Sequence, residues 1–135
     1  MEFDQELVER FNGTCPPEDA DVPDCMVYRA VAADPATPDD FQSYVKLRKV
    51  SVEKSKCDDW GLSVWRDLDA VEHARNVIPL FRERYIAGGE MGEAHGKIKA
   101  SPSKNQPKHF TFWNYCNVNL STSFSIIMPP LEEDV

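Results

Sequence analysis

The sequence predicts an α+β fold, a single domain in which helices, mostly in the N-terminal half, pack on a mixed or antiparallel sheet. Three observations lead there. Apolar residues recur at helical spacing as far as Ile78, that spacing vanishes beyond Gly89, and β-rich stretches replace it. A length of 135 residues suits one hydrophobic core. With 41% hydrophobic residues, among them seven Phe, four Tyr and three Trp, the chain carries enough apolar surface to offset its conformational entropy.

Phe3, Leu7 and Phe11 stand at steps of four on one helical face, and Asn12-Gly13 supplies a stop, so a short helix opens the chain. Residues 14–24 hold three prolines and four acids and read as an exposed linker that does not pack. Cys25 to Ala32 is apolar and β-branched, as a buried central strand is. Thr37-Pro38-Asp39-Asp40 has the chemistry of a helix start, continued by Phe41, Tyr44, Val45 and Arg48. Gly61 to Trp65 reads as a strand running into a helix capped by Asp67 or Asp69, with Leu68, Val71, Ala74 and Ile78 on its apolar face and Pro79 as its end. Tyr85-Ile86-Ala87 begins a further strand, and the stretch from Gly88 to Gly92 reads as a turn or bulge.

Three β-like stretches follow: Lys97 to Ala100, Lys108 to Trp113, and Ser123 to Met128. In the second, His109, Thr111 and Trp113 point one way and Phe110 and Phe112 the other. Phe41, Val64, Val71, Ile78, Phe110 and Phe112 are expected in one core. Residues 129–135 are expected to form a frayed tail.

A formal net charge of −8 repels nucleic-acid phosphate, and Lys97, Lys99, Lys104 and Lys108 read as a solvated loop. No stretch offers the roughly 20 apolar residues of a membrane span. The acidic start lacks a secretory pattern, so the cytoplasm is the expected location. Asn12-Gly13-Thr14 and Asn119-Leu120-Ser121 match the glycosylation sequon, a short pattern that recurs by chance. Cys15, Cys25, Cys57 and Cys116 form no Cys-x-x-Cys pair, which predicts reduced thiols and no metal. A Cys15–Cys25 disulfide requires export. Cys25 and Cys116 are expected inside apolar strands.

Arg29 interrupts an apolar strand, so its guanidinium needs a protein acid or an anionic ligand. His109 and Thr111, with Trp113, offer a face suited to a base or sugar ring, although a lone strand histidine is more often structural. His73 has Glu72 beside it and Asp69 one turn back, and His95 lies in a glycine-flanked loop.

Val27-Tyr28-Arg29-Ala30, the strand Gly61 to Trp65 and the helix through Asp69-Ala70 to Ala74 resemble, in their order, the ADP-ribosyltransferase superfamily, including RES-type toxin domains. The resemblance implies NAD held by Arg29 and by either Ser63 or the Ser121-Thr122-Ser123 element. Glu90 and Glu93 are the acids available for its chemistry, and Glu132 and Glu133 fall in the tail. The residues themselves point to a small acidic binding or regulatory module without a cofactor, steered by charge toward a basic protein, as in the neutralising half of a toxin and immunity pair.

Overall fold

In the computed structural model, which describes residues 1–131, six strands form one antiparallel sheet in the order β4-β5-β2-β1-β3-β6. They are β1 (Cys25–Val31), β2 (Leu62–Trp65), β3 (Tyr85–Met91), β4 (Gly96–Ala100), β5 (His109–Asn114) and β6 (Ser125–Met128). The expected strand from Cys25 is internal. Helix α1 (Gln5–Arg10) is capped by the Asp4 carboxylate, which accepts from the amides of Glu6 at 2.9 Å and Leu7 at 3.3 Å. In α2 (Leu68–Val77) the cap is Asp67, which accepts from the Asp69 amide at 3.0 Å. Pro79, which lacks an amide hydrogen, then starts a 3-10 turn.

The helical share is smaller than the sequence suggests. Thr37 opens only a four-residue 3-10 turn, Pro38–Phe41, and the chain is extended again at Gln42. The Asp40 carboxylate accepts from the Ala32 amide at 2.7 Å and the Thr37 amide at 2.9 Å, so it ties the turn back to β1. From there to β2 the chain runs in turns, with Arg48 in the left-handed region at φ 61°. No helix among the described residues is long and apolar enough to cross a membrane.

Gly88 and Gly89 lie inside β3, not in a turn. A Cβ on Gly89 would sit 2.7 Å from the Ser123 carbonyl oxygen and 3.0 Å from the Phe124 ring. The glycine permits a close approach across a strand that continues through it.

The six residues expected in one core fall on the two faces of the sheet. Phe41, Val64 and Phe112 belong to a cluster with Val27, Leu62 and Phe124, and Phe110 packs against it. Val71 belongs to the opposite cluster under α2, with Trp65, Ala74 and Ile86, and Ile78 packs there. Alternation along each strand sends neighbours to opposite faces, and here both faces are covered.

A third cluster joins Leu7, Cys15, Val45, Trp60 and Trp113. It contains a Cys15–Cys57 disulfide spanning 42 positions, with the Cα atoms 5.7 Å apart. This corrects the expectation of four reduced thiols, because so long a separation leaves no spacing signal. Cys25 is a half-buried thiol in β1, whereas Cys116 lies beyond the end of β5 and is exposed. Residues 14–24 expose their acids yet are pinned at three points: buried Cys15, buried Pro23, and Asp21, whose amide and carbonyl pair with Ile98 at 2.8 Å each. In the expected tail, the Leu131 amide donates to the Arg82 carbonyl at 3.0 Å and the Pro129 carbonyl accepts from buried Arg75. The rest of that tail, 132–135, lies outside the described residues.

Candidate functional site

The β2–β5 register pairs Ser63 with Thr111 and Trp65 with His109, so these four side chains share one face. The β4–β5 register adds Lys99 opposite Thr111 and, one step beyond Ala100, brings Ser101 across from His109. The Ser101 amide donates to the His109 carbonyl at 2.9 Å. Thr111, which is buried, donates through Oγ1 to Ser101 Oγ at 2.8 Å. Ser101 Oγ lies 2.8 Å from His109 Nδ1.

The Ser101 carbonyl oxygen lies 3.2 Å from the same Nδ1, so that nitrogen either accepts from the Ser101 hydroxyl or donates to the Ser101 oxygens, according to the tautomer. Burial pushes the His109 pKa below the ordinary histidine value, the Ser101 carbonyl and Asp58 oppose that, and Arg29 adds to it. The ring meets Trp65 edge to face at 5.3 Å. Both hydroxyls are spent within the chain, so the arrangement fixes the β4–β5 corner. Ser101 carries no motif, and only the hairpin register, continued past the strand end, could have found it.

Trp113 stands two positions on along the same face, as expected, but at the far end of β5 from His109. It is buried in the third cluster, where its indole nitrogen donates to the Cys57 carbonyl at 3.0 Å. Arg29 pairs with Ala87 and projects to the face opposite Ser63's side chain. β1 and β2 share a single register pair, Tyr28 with Trp65. Where they part, Arg29 donates from Nη1 to the Ser63 carbonyl at 2.8 Å and from Nε to the Asp40 carbonyl at 2.9 Å. Burial lowers its pKa to about 10, against the influence of Tyr44 and Asp40. Arg29 thus ties the Ser63 carbonyl of β2 to the Asp40 carbonyl of the Pro38–Phe41 turn.

Among the other sequence candidates, His95 accepts at Nδ1 from the Gly92 amide at 2.9 Å and closes the β3–β4 turn. Ser121 and Thr122 lie in a 3-10 turn capped by Asn119, and Ser123 follows as its C-cap. Glu90 and Glu93 are exposed. No group of three or more His, Cys, Asp or Glu among the described residues could hold a metal.

Among the described residues, clefts open at two places of note on the surface. One, of about 340 Å³, lies between the Pro38–Phe41 turn and residues 114–120. The other, of about 210 Å³, lies between the first turns of α2 and the loop before β5, where His73 joins Asp69, Ala70, Gln106, Pro107 and Lys108. No protein family, curated protein or solved structure matches this chain.

Proposed function

We propose that the protein is a small acidic binding module that presents residues 18–24 to a basic protein partner. The observation carrying this reading is how that segment is held. Glu18, Asp19, Asp21 and Asp24 are all exposed, and Val22 stands 45% exposed among them. The backbone beneath is fixed by the Cys15–Cys57 disulfide, by buried Pro23 and by the Asp21–Ile98 bridge. Only Asp19 of the four acids has a cationic neighbour among the described residues, Lys99 at 2.8 Å. A pre-ordered row of carboxylates, three of them without a cationic neighbour among the described residues, around one apolar side chain steers a basic surface and loses little entropy on docking.

Neutralising a toxic basic protein is one role that fits, and the same charge disfavours nucleic acid. The disulfide supports an oxidising compartment in place of the cytoplasm expected from the sequence, since cytosolic thiol systems keep such pairs reduced.

The test is affinity capture from the source organism at low and high salt, with wild type and an Asp21→Lys/Asp24→Lys variant. The expected result is a basic protein retained by wild type, released by salt that screens exposed charges, and lost by the variant. Capture that ignores both salt and charge reversal overturns the reading.

A further inference from the structure

We propose that residues 18–24 of one copy of this chain dock on the basic loop 46–56 of a second copy, so that the protein pairs with itself through its disulfide-stapled layer. The proposal rests on the acidic display described above but not on a foreign partner for it.

Charge is segregated along this chain. Five of its fifteen Lys and Arg residues fall between positions 46 and 56, against Glu53 alone, in a protein of net charge −8. Lys46 is held by Asp4 and Glu6. Arg48, Lys49, Lys54 and Lys56 are exposed, and no carboxylate among the described residues lies within ion-pair distance of them. The loop that carries them is fixed from below. Arg10 donates to the carbonyls of Val52, Glu53 and Ser55, and the Lys49 amide donates to the Tyr44 carbonyl at 2.9 Å. Arg48 holds φ at 61°, a left-handed conformation where glycine or asparagine is usual, so a cation is kept there against backbone preference.

Exposed cations around exposed Leu47 and Tyr44 mirror the carboxylates of Glu18, Asp21 and Asp24 around Val22. That combination of charge and apolar surface selects the occupant. A small anion leaves Leu47 and Tyr44 without a contact. A nucleic acid or an anionic bilayer extends beyond the loop, over a surface whose remaining charge is strongly negative. A second copy brings a short acidic segment with an apolar centre, already ordered. Exposed charges farther apart than about 8 Å are screened at physiological salt, so the pairs in contact decide the encounter more than the net charge of each chain.

The two segments are also placed for a closed pair. Ala20, from the acidic segment, and Val52, from the basic loop, pack against the same cluster beside the Cys15–Cys57 disulfide. A two-fold axis next to that layer sets the acidic segment of each copy on the basic loop of the other, and the assembly ends at two chains.

Sedimentation equilibrium of wild type at about 0.1 M salt is expected to show a dimer. Asp21→Lys/Asp24→Lys and Arg48→Glu/Lys49→Glu are each expected to weaken it by at least about tenfold. Mixed in equal amounts, these two variants are expected to form a heterodimer, since one then presents only basic patches and the other only acidic ones. All four side chains are exposed, so both variants are expected to melt near wild type. Should either fail to fold, the neutral Asp21→Asn/Asp24→Asn or Arg48→Gln/Lys49→Gln reads the same loss. A wild type that remains monomeric up to about 1 mM, a dimer that survives either reversal, or two variants that stay apart on mixing overturns the proposal. Anionic phospholipid vesicles that carry such a monomer down would assign the basic loop to a membrane surface instead. A monomer that still captures a foreign basic protein leaves the acidic display standing, and a dimer that captures none removes that reading and keeps this one.

Discussion

The sheet and the layer beside α1 are both well packed, yet they are built by different means. Across the sheet, β1 pairs with β3 over seven consecutive residues, and Val27, Val64 and Phe112 are fully enclosed. The layer formed by α1 and residues 43–60 has no ladder. There Arg10 donates from Nε to the Val52 carbonyl at 2.8 Å and from Nη2 to the carbonyls of Glu53 and Ser55 at 3.2 Å each. Trp60 donates to Ser55 Oγ at 2.9 Å, and the Cys15–Cys57 disulfide joins the parts. Repetitive hydrogen bonding makes the first region cooperative; the second depends on a few particular side chains and one covalent link.

The largest expected effect is in the sheet. Phe112→Ala removes a ring enclosed between β2 and β4 and is expected to cost about 3–5 kcal/mol in denaturant unfolding. A loss below about 1 kcal/mol would place that ring outside the load of the core.

Opening the disulfide tests the other region. A Cys15→Ser/Cys57→Ser pair is expected to lose about 2–4 kcal/mol of stability, through the freedom regained by the unfolded chain. Hydrogen exchange should quicken in α1 and residues 43–60 while β1 and β3 stay protected. Uniform quickening would show that the layer and the sheet unfold as one unit. Thiol titration of the denatured, unreduced wild type is expected to find two thiols, since the structure leaves Cys25 and Cys116 free.

This contrast also explains what was legible in the sequence. Period-2 alternation in residues 109–113 placed Phe110 and Phe112 opposite His109 and Thr111, and the register agrees. The spacing of Leu68, Val71 and Ala74 likewise announced α2. No period marks the third cluster, where Cys15 meets Cys57 only because α1 folds back over the turns. The glycines of β3 misled for a related reason, as Gly89 makes room for Phe124, thirty-five positions on, and Gly88 lies against Tyr28 of β1. At the site, Arg29 was conspicuous for its charge, but its partners are carbonyls, which every residue carries and no sequence pattern announces. Ser101 was silent because it stands one step past the end of β4, where no strand period reaches.

Arg29 is where the sheet most resembles the layer, since side-chain donors substitute for a ladder. Arg29→Met leaves the Ser63 and Asp40 carbonyls without their donors and is expected to cost about 1–3 kcal/mol. A thermal-shift screen against NAD and other nucleotides belongs beside it. A nucleotide that stabilises wild type but not Arg29→Met would favour the transferase-like alternative. A destabilised variant with no nucleotide effect in either protein fits a strand-bridging role.

The smallest effects come from pH, and they act on the two regions at opposite ends of the scale. Burial holds the His109 pKa below its ordinary value, so between the folded and ordinary values the unfolded chain binds more protons than the native one. Stability contributed at the sheet is therefore complete above the ordinary histidine range and declines as pH falls through it. Lys46 behaves in the reverse sense. Burial alone would lower its pKa, but the Asp4 carboxylate at 2.9 Å and Glu6 at 3.3 Å together outweigh that and raise it. Its contribution to the layer is present below the ordinary lysine value and is lost as pH rises past it. Lys46 is exposed and His109 only half-buried, so each change is expected to be small and Lys46 in particular to be sensitive to salt. The measurement is residue-resolved hydrogen exchange, corrected for intrinsic rates, at mildly acid, neutral and alkaline pH. Acid should loosen β5 in wild type but less in His109→Gln, and alkali should loosen α1 in wild type but less in Lys46→Met. If acid loosens α1 before β5, the stapled layer depends on its carboxylates more than on its disulfide, and the contrast between the two regions has to be redrawn around charge.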